Sequence, residues 1–290
     1  MKKFNKVAII GVGLIGGSIG LAIKKRKAAD KVIGVFRRRT TMRNALKRKA
    51  VDVGVMDIAE GVKDADLIII GSPVGMIPEL AWQAARFAKP GAVITDVGST
   101  KAHIVSRVEK LVGARSANFI GSHPMAGSEK TGVAAARSDL LDGSPCIVTK
   151  TAASDKASLA RVVSFWKSLG ANVKVLKPAE HDDAVSLISH LPHIVAFSLA
   201  GAVPTGSLNY AAEGFKDTTR VASSDPELWA DILLTNRSHI LKAAALFRKQ
   251  YERIVSAIAK DDRRGIIREL TAARRKREIF LNKLHGNKKD

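Results

Sequence analysis

The stretch AIIGVGLIGGSIG, from Ala8 to Gly20, constrains this chain more than any other. An apolar run ends in glycines at 11, 13 and 16, and a helical pattern follows. In a G-x-G-x-x-G loop between strand and helix, the first glycine makes a tight turn. The second lets the backbone approach a pyrophosphate, and the third lets helix and strand pack closely. The helix N-terminus then faces the phosphate charge. Gly11, Gly13 and Gly16, with Leu14 and Ile15 between them, are therefore expected to hold a dinucleotide. A glycine turn without a ligand is the lesser alternative, because a second strand follows where the motif requires one.

KVAIIGVG, KVIGVF, DLIIIGSP, AVITDVGS, NFIGSHP, PCIVTK and NVKVL read as strands separated by helical stretches. Continuous apolar runs of this kind are buried on both faces. Alternation of strand and helix predicts a doubly wound α/β sheet with ligands beyond the carboxyl ends of its strands. Ser72 and Pro73 sit at one such end and are expected to line the cofactor site. After Pro178 helical patterns take over, at 180–202, 226–260 and 262–285. The expected division is 1–178, an α/β dinucleotide-binding domain, and 179–290, all helical. A helical region this small has little core of its own, so pairing with a second copy of the chain is expected.

The second strand ends at Phe36, followed by Arg37, Arg38 and Arg39. An NAD-binding fold usually carries an acid here, which grips the ribose 2′-hydroxyl. Three guanidinium groups instead favour a 2′-phosphate, hence NADP, with NAD remaining possible. The alternative is that these arginines belong to an exposed basic surface. The chain's net charge is +21, and it has two sources. Residues 24–49 carry 12 Lys and Arg against one acid, and residues 237–290 carry 16 against six. No helix-turn-helix, zinc pattern or aromatic-interleaved basic motif accompanies them, which argues against a nucleic-acid role. The single cysteine, Cys146, excludes a disulfide framework and fits a reducing compartment. With no secretory leader and no apolar stretch expected to span a bilayer, the cytoplasm is the expected location.

Several residues could do chemistry. His123, in GSHPMAGSEKTG, follows a strand at the sheet's carboxyl edge, where a histidine suits proton transfer near neutral pH. SHLPHIV sets His190 and His193 on one helical face, with Pro192 as an expected kink. A metal role for the pair lacks a suitably spaced third ligand. GFKDTTRVASSDPELW supplies Asp217, Arg220 and Trp229, and DVGSTK supplies Ser99. Singly, each also reads as an ordinary core or surface residue.

Taken in order, GVGLIGGS, DVGSTK, GSHPMAGSE, EHDDAVSLISHLPH and GFKDTTRVASSDPELW resemble the prephenate and arogenate dehydrogenase family of tyrosine biosynthesis over nearly the whole chain. The resemblance implies a Rossmann-like N-terminal domain and a helical C-terminal dimerisation domain. It implies oxidative decarboxylation of prephenate, arogenate or both, with hydride passing to a nicotinamide. His123 would accept the ring hydroxyl proton, and Ser99 would hold that hydroxyl or orient His123. Arg220 would bind a substrate carboxylate, a bidentate task for a guanidinium. His190 and His193 would lie near the substrate side chain, Asp217 and Glu129 would act as gate or supporting groups, and Trp229 would support Arg220. Within this length, neither the mutase nor the ACT domain that some members carry is expected.

Two other readings compete. A β-hydroxyacid dehydrogenase joins similar domains but would need a catalytic lysine on the first long helix of the second, and 180–202 contains none. A non-catalytic nucleotide- or nucleic-acid-binding module would make His123 and Arg220 dispensable.

Overall fold

The computed structural model describes residues 3–112, 117–127 and 131–286. Glu129 lies outside the described residues. Six strands form one parallel sheet: β1 (Phe4–Ile10), β2 (Ala29–Val35), β3 (Val53–Val55), β4 (Leu67–Ile70), β5 (Val93–Asp96) and β6 (Asn118–Ile120). Their spatial order is β3-β2-β1-β4-β5-β6: all strands are parallel, and the sense in which the chain adds them reverses between β1 and β4. This is the doubly wound order, and it puts the ligand crevice at that reversal. Helices α1 (Leu14–Arg26), α2 (Arg39–Lys47), α3 (Ile58–Val62), α4 (Ile77–Phe87) and α5 (Ala102–Val112) connect the strands.

The apolar runs bury both faces. Val7 and Ile9 of β1 and Leu67 and Ile69 of β4 pack into one core cluster. Their neighbours Ala8, Ile10, Ile68 and Ile70 pack into the other. Alternate side chains of a strand point to opposite faces, so two cores need strands that are apolar at every position.

The segment NFIGSHP departs from the single strand expected. It divides at Gly121 into β6 and β7 (Ser122–Pro124). A Cβ at Gly121 would stand 2.6 Å from the Thr149 hydroxyl oxygen, so the chain turns there at a position without a side chain. β7 then pairs antiparallel with β8 (Pro145–Thr149), and β8 pairs parallel with β9 (Asn172–Leu176), giving a second, three-stranded sheet. PCIVTK and NVKVL thus belong to that sheet and not to the first. Helix α6 (Lys156–Ser168) joins β8 to β9.

A continuous helical run follows, α7 (Pro178–Val185), a π turn at Ser186–His190, and α8 (Leu191–Ala202). The irregularity falls on the π turn, which ends two residues before Pro192, the second residue of α8. By length and composition this run could cross a membrane, contrary to the expectation that no stretch would. Its His181 and Asp182 nonetheless bond to His123, Lys101 and Ala102 of the α/β region, and His190 bonds to Asn236 further along the chain, so it packs against protein. Beyond it lie a short 3-10 turn at Thr205–Tyr210, α9 (Glu213–Thr219), a second at Arg220–Ser223, and α10 (Pro226–Thr235). The last two helices are α11 (Arg237–Ala259) and α12 (Arg263–Gly286).

By contacts the chain divides into Met1–His239 and Ile240–Asp290. The second unit holds most of α11 and all of α12, tied by Gln250 donating to Glu269. It leaves many large apolar side chains in solvent, among them Leu246, Phe247, Tyr251, Ile258, Leu270 and Phe280.

Candidate active site

The glycine loop takes the form its sequence demands. Gly11 has φ +91°, and a Cβ there would meet the Gly71 carbonyl at 2.7 Å. A Cβ on Gly16 would stand 2.2 Å from the Gly11 carbonyl oxygen, so this pair fixes the turn against α1. A Cβ on Gly13 would meet nothing within 4 Å, which leaves open space for a ligand to reach the backbone. α1 begins here with no side-chain cap and no acid in its first turn, so its N–H groups are available to an anion.

A cleft of about 570 Å³ opens from this loop. It is lined by Gly11, Gly13, Arg37, Arg38, Ser72 and Pro73, together with Thr41, Met76 and Gln83. Leu14 and Ile15 start α1 beside it without lining it, and Arg39, also outside the lining, is exposed at the start of α2. Phe36 is buried, packed where a Cβ on Gly34 or Gly54 would be. The position that commonly carries a ribose-gripping acid therefore holds a core side chain. A dinucleotide fits this cradle, which offers open space at Gly13 and an uncapped α1 N-terminus to an anion.

His123 lies on β7, where its backbone pairs with Ile147, and only 9% of it is exposed. His181, backed by Asp182, orients it. Its Nδ1 lies 2.8 Å from His181 Nε2, and His181 Nδ1 lies 2.7 Å from Asp182 Oδ1. A carboxylate only accepts, so His181 carries its proton on Nδ1 and presents a lone pair at Nε2. His123 must then donate from Nδ1, which leaves its Nε2 as the lone-pair nitrogen. Asp182 is itself held in place: its carboxylate accepts from the Lys101 N–H at 2.7 Å and the Ala102 N–H at 2.9 Å, capping α5 from a distant part of the chain.

Below this chain Lys101, fully buried, pairs with Asp96 and donates to the Ser122 carbonyl at 2.9 Å. Ser122 accepts at its hydroxyl from Trp166 Nε1 at 3.0 Å and donates to the Asp96 carbonyl at 2.6 Å. These bonds tie the end of β5 to the start of β7, one residue before His123.

Burial drives the His123 pKa well below its ordinary value, and the nearby His181, Lys101 and His190 push it the same way. Burial also lowers His181, against the pull of Asp182. For Asp182, burial works upward but is outweighed by the bonds from His181 and the two backbone N–H groups, so its pKa falls. The result is a neutral imidazole at His123 and an ionised carboxylate at Asp182 near neutral pH.

The other expected residues gather partly around this center. His193 stacks on Trp229 at 3.7 Å, and His190 meets the same ring edge-on at 5.9 Å. His193 donates from Nδ1 to the Ser189 carbonyl at 2.9 Å. Burial lowers its pKa against the pull of the Ser189 bond, and the charge of Arg220, which begins a 3-10 turn, adds to the lowering. Ser99 is half-buried in the loop after β5, and Asp217 is exposed on α9. Lys101, His181, Asp182 and Asn236 were not singled out from sequence. The signal for two of them was present, because His181 heads the same helical run as His190 and His193, with an acid beside it. Among the described residues, no group of three or more His, Cys, Asp or Glu could hold a metal ion.

A glycine-loop cleft at the carboxyl ends of the sheet's strands and a buried neutral histidine just past the end of β6 are the features of a nucleotide-dependent oxidoreductase. Family models described as prephenate dehydrogenase, nucleotide-binding domain and prephenate dehydrogenase, dimerization domain match residues 19–175 and 177–272. The chain belongs to the prephenate and arogenate dehydrogenase family. It is 36% identical to the prephenate dehydrogenase of Bacillus subtilis over 93% of this chain and 74% of that one. The structure of Aquifex aeolicus prephenate dehydrogenase with hydroxyphenyl propionate and NAD+ superposes with a TM-score of 0.88 at 31% identity, covering 95% of this chain and 98% of that one. Synechocystis arogenate dehydrogenase superposes at 0.81 with 29% identity, covering 95% and 99%.

Proposed function

We propose that this enzyme oxidatively decarboxylates prephenate, arogenate or both, with His123 as the general base. The observation that carries this reading is the Asp182–His181–His123 chain, which leaves a lone pair on His123 Nε2 in a buried site. When bound, the nicotinamide supplies the acceptor for the hydride that leaves the hydroxyl-bearing ring carbon. His123 Nε2 takes the hydroxyl proton as that carbon becomes a carbonyl-like center. Loss of carbon dioxide from the opposite carbon leaves its electron pair to aromatise the ring. Because His123 Nδ1 is committed to His181, Ser99 is assigned to the substrate hydroxyl. Arg220 binds a carboxylate, and its charge acts on His193, which stacks on Trp229.

The reading favours NADP over NAD. Arg37, Arg38 and Thr41 surround the far end of the cleft, and no acid stands at Phe36 to bond a bare ribose hydroxyl. Apolar side chains on α11 and α12 support a homodimer through the helical region, as does the family description of 177–272 as a dimerization domain. The domain boundary near residue 178 remains part of this proposal.

The test is a two-by-two assay of prephenate and arogenate against NAD and NADP, following reduced nicotinamide by absorbance. At least one pair should turn over, with NADP giving the lower KM. Arg37→Ala and Arg38→Ala should each raise the NADP KM by about tenfold or more while moving the NAD value little. Equal KM for both cofactors in the unaltered enzyme would overturn the NADP assignment, and no turnover of either substrate would overturn the reaction.

A further inference from the structure

We infer that Asn236 is a positioning residue that fixes His190 as an Nε2–H donor, and that this donor takes a carbonyl or carboxylate oxygen of the bound reactants. The inference rests on reading the His123 cluster as the active site. Asn236 follows α10 and is 2% exposed. Its carboxamide bonds to three partners. Nδ2 donates to the Asp182 carbonyl at 2.9 Å and lies 3.2 Å from His190 Nδ1, while Oδ1 lies 2.9 Å from His239 Nδ1. The Asp182 carbonyl only accepts, so the amide cannot be turned the other way without setting two acceptors against each other. The same NH₂ group therefore faces His190, whose Nδ1 must be the lone-pair nitrogen.

The proton of the neutral ring then sits on Nε2, and burial, lowering the pKa to about 4, keeps the ring neutral at working pH. Among the described residues, His190 Nε2 is the one buried side-chain polar atom without a hydrogen-bond partner. His190 is 1% exposed, so bulk water does not satisfy this N–H. Buried donors are rarely left unpaired, and those that are mark a ligand or a function. The groups facing His190 are His181, Asp182 and His193 on its own helical run, His123 from β7, and Trp229 and Asn236 from the α10 end. The two nitrogens of an imidazole point to different sides, so with Nδ1 on Asn236 the free N–H is directed away from it. An ammonium offers no lone pair to such a donor. A substrate keto or carboxylate oxygen does, and so does the carboxamide oxygen of a nicotinamide.

Nitrogen-15 NMR of the histidines in the full-length enzyme reads the tautomer directly. His190 should appear as the neutral Nε2–H form near pH 7, and a neutral Nδ1–H form or an imidazolium overturns the inference. Kinetics read the ligand. In Asn236→Asp the new carboxylate takes the Nδ1 proton, so the neutral ring turns an acceptor outward. Protonation at lower pH restores the outward N–H. The KM of one reactant, relative to the unaltered enzyme, should rise roughly tenfold near pH 8 and return toward one near pH 6. A rise for the substrate alone assigns its oxygen, and a rise for the cofactor alone assigns the carboxamide. A ratio that is flat across pH, or that stays within about twofold for both reactants, overturns the inference. His190→Gln, which keeps a donor, should recover most of the affinity lost in His190→Leu, and equal loss in the two is contrary to it. The NMR measurement needs no variant, so it decides even where a substitution unfolds the chain. Failure of the active-site reading itself would show separately, as full turnover in His123→Asn.

Discussion

At the scale of single residues, the chemistry depends on which nitrogen carries a proton. His123 is competent as a base because a fixed series of acceptors and donors strips Nε2 of its hydrogen. Asp182 sets His181, and His181 sets His123. Replacing His181 by Leu removes the acceptor for the Nδ1 proton and lets the ring adopt the tautomer with a blocked Nε2. We expect kcat to fall about 10- to 100-fold with little change in KM, less than the full contribution of a general base. His181→Gln offers an amide oxygen to the same proton and should recover a large part of the rate. Equal activity in the Leu variant and the unaltered enzyme would mean that His181 merely packs against His123. His123 itself was legible in sequence, as a histidine at a strand's carboxyl edge. Its partners His181 and Asp182 showed in sequence only as a histidine and an acid heading the run of His190. Their bonds to His123, Lys101 and Ala102 span from 58 to 81 residues, and no local pattern announces them.

Among elements, the glycine loop separates folding from binding. Gly16→Ala drives a Cβ into the Gly11 carbonyl at 2.2 Å, a backbone atom with nowhere to go. This should cost about 2 kcal/mol or more and lower Tm by about 4–8 °C. Gly13→Ala meets no atom of the chain within 4 Å, so Tm should hold while the dinucleotide KM rises about tenfold or more. An unchanged KM in Gly13→Ala would remove the pyrophosphate from that position. The same loop shows why the sheet could be read from sequence: strands buried on both faces are apolar at every position, and glycine spacing marks the turn. β3 was missed because it is three residues, Val-Gly-Val, too short for any period to register. NFIGSHP looked like one strand because its break is a single glycine, and only the packing of Thr149 and Val105 against Gly121 makes that glycine a corner. The π turn at Ser186–His190 was likewise hidden, since the proline nearby drew attention to residue 192.

For the molecule as a whole, apolar side chains divide into two populations. Those of the sheet region are buried in two cores, whereas α11 and α12 leave theirs in solvent. The sequence conveyed this as helical periodicity in a segment too small to bury its own face, which is why pairing was expected there. Basic residues of α11 and α12, among them Lys242, Arg248, Lys249 and Arg274, lie on exposed helix faces. The central claim, that a buried neutral imidazole at His123 removes the ring proton, is tested most directly by the pH dependence of kcat/KM in the unaltered enzyme beside His123→Asn. The base must be unprotonated, and burial moves its pKa well below 6.5. Activity should therefore stay level as pH falls through the ordinary histidine range and drop only at lower pH. In His123→Asn, kcat should be about 10²-fold lower or more, KM within about threefold, and the acid limb gone. A variant that keeps both its turnover and its acid limb would contradict the claim.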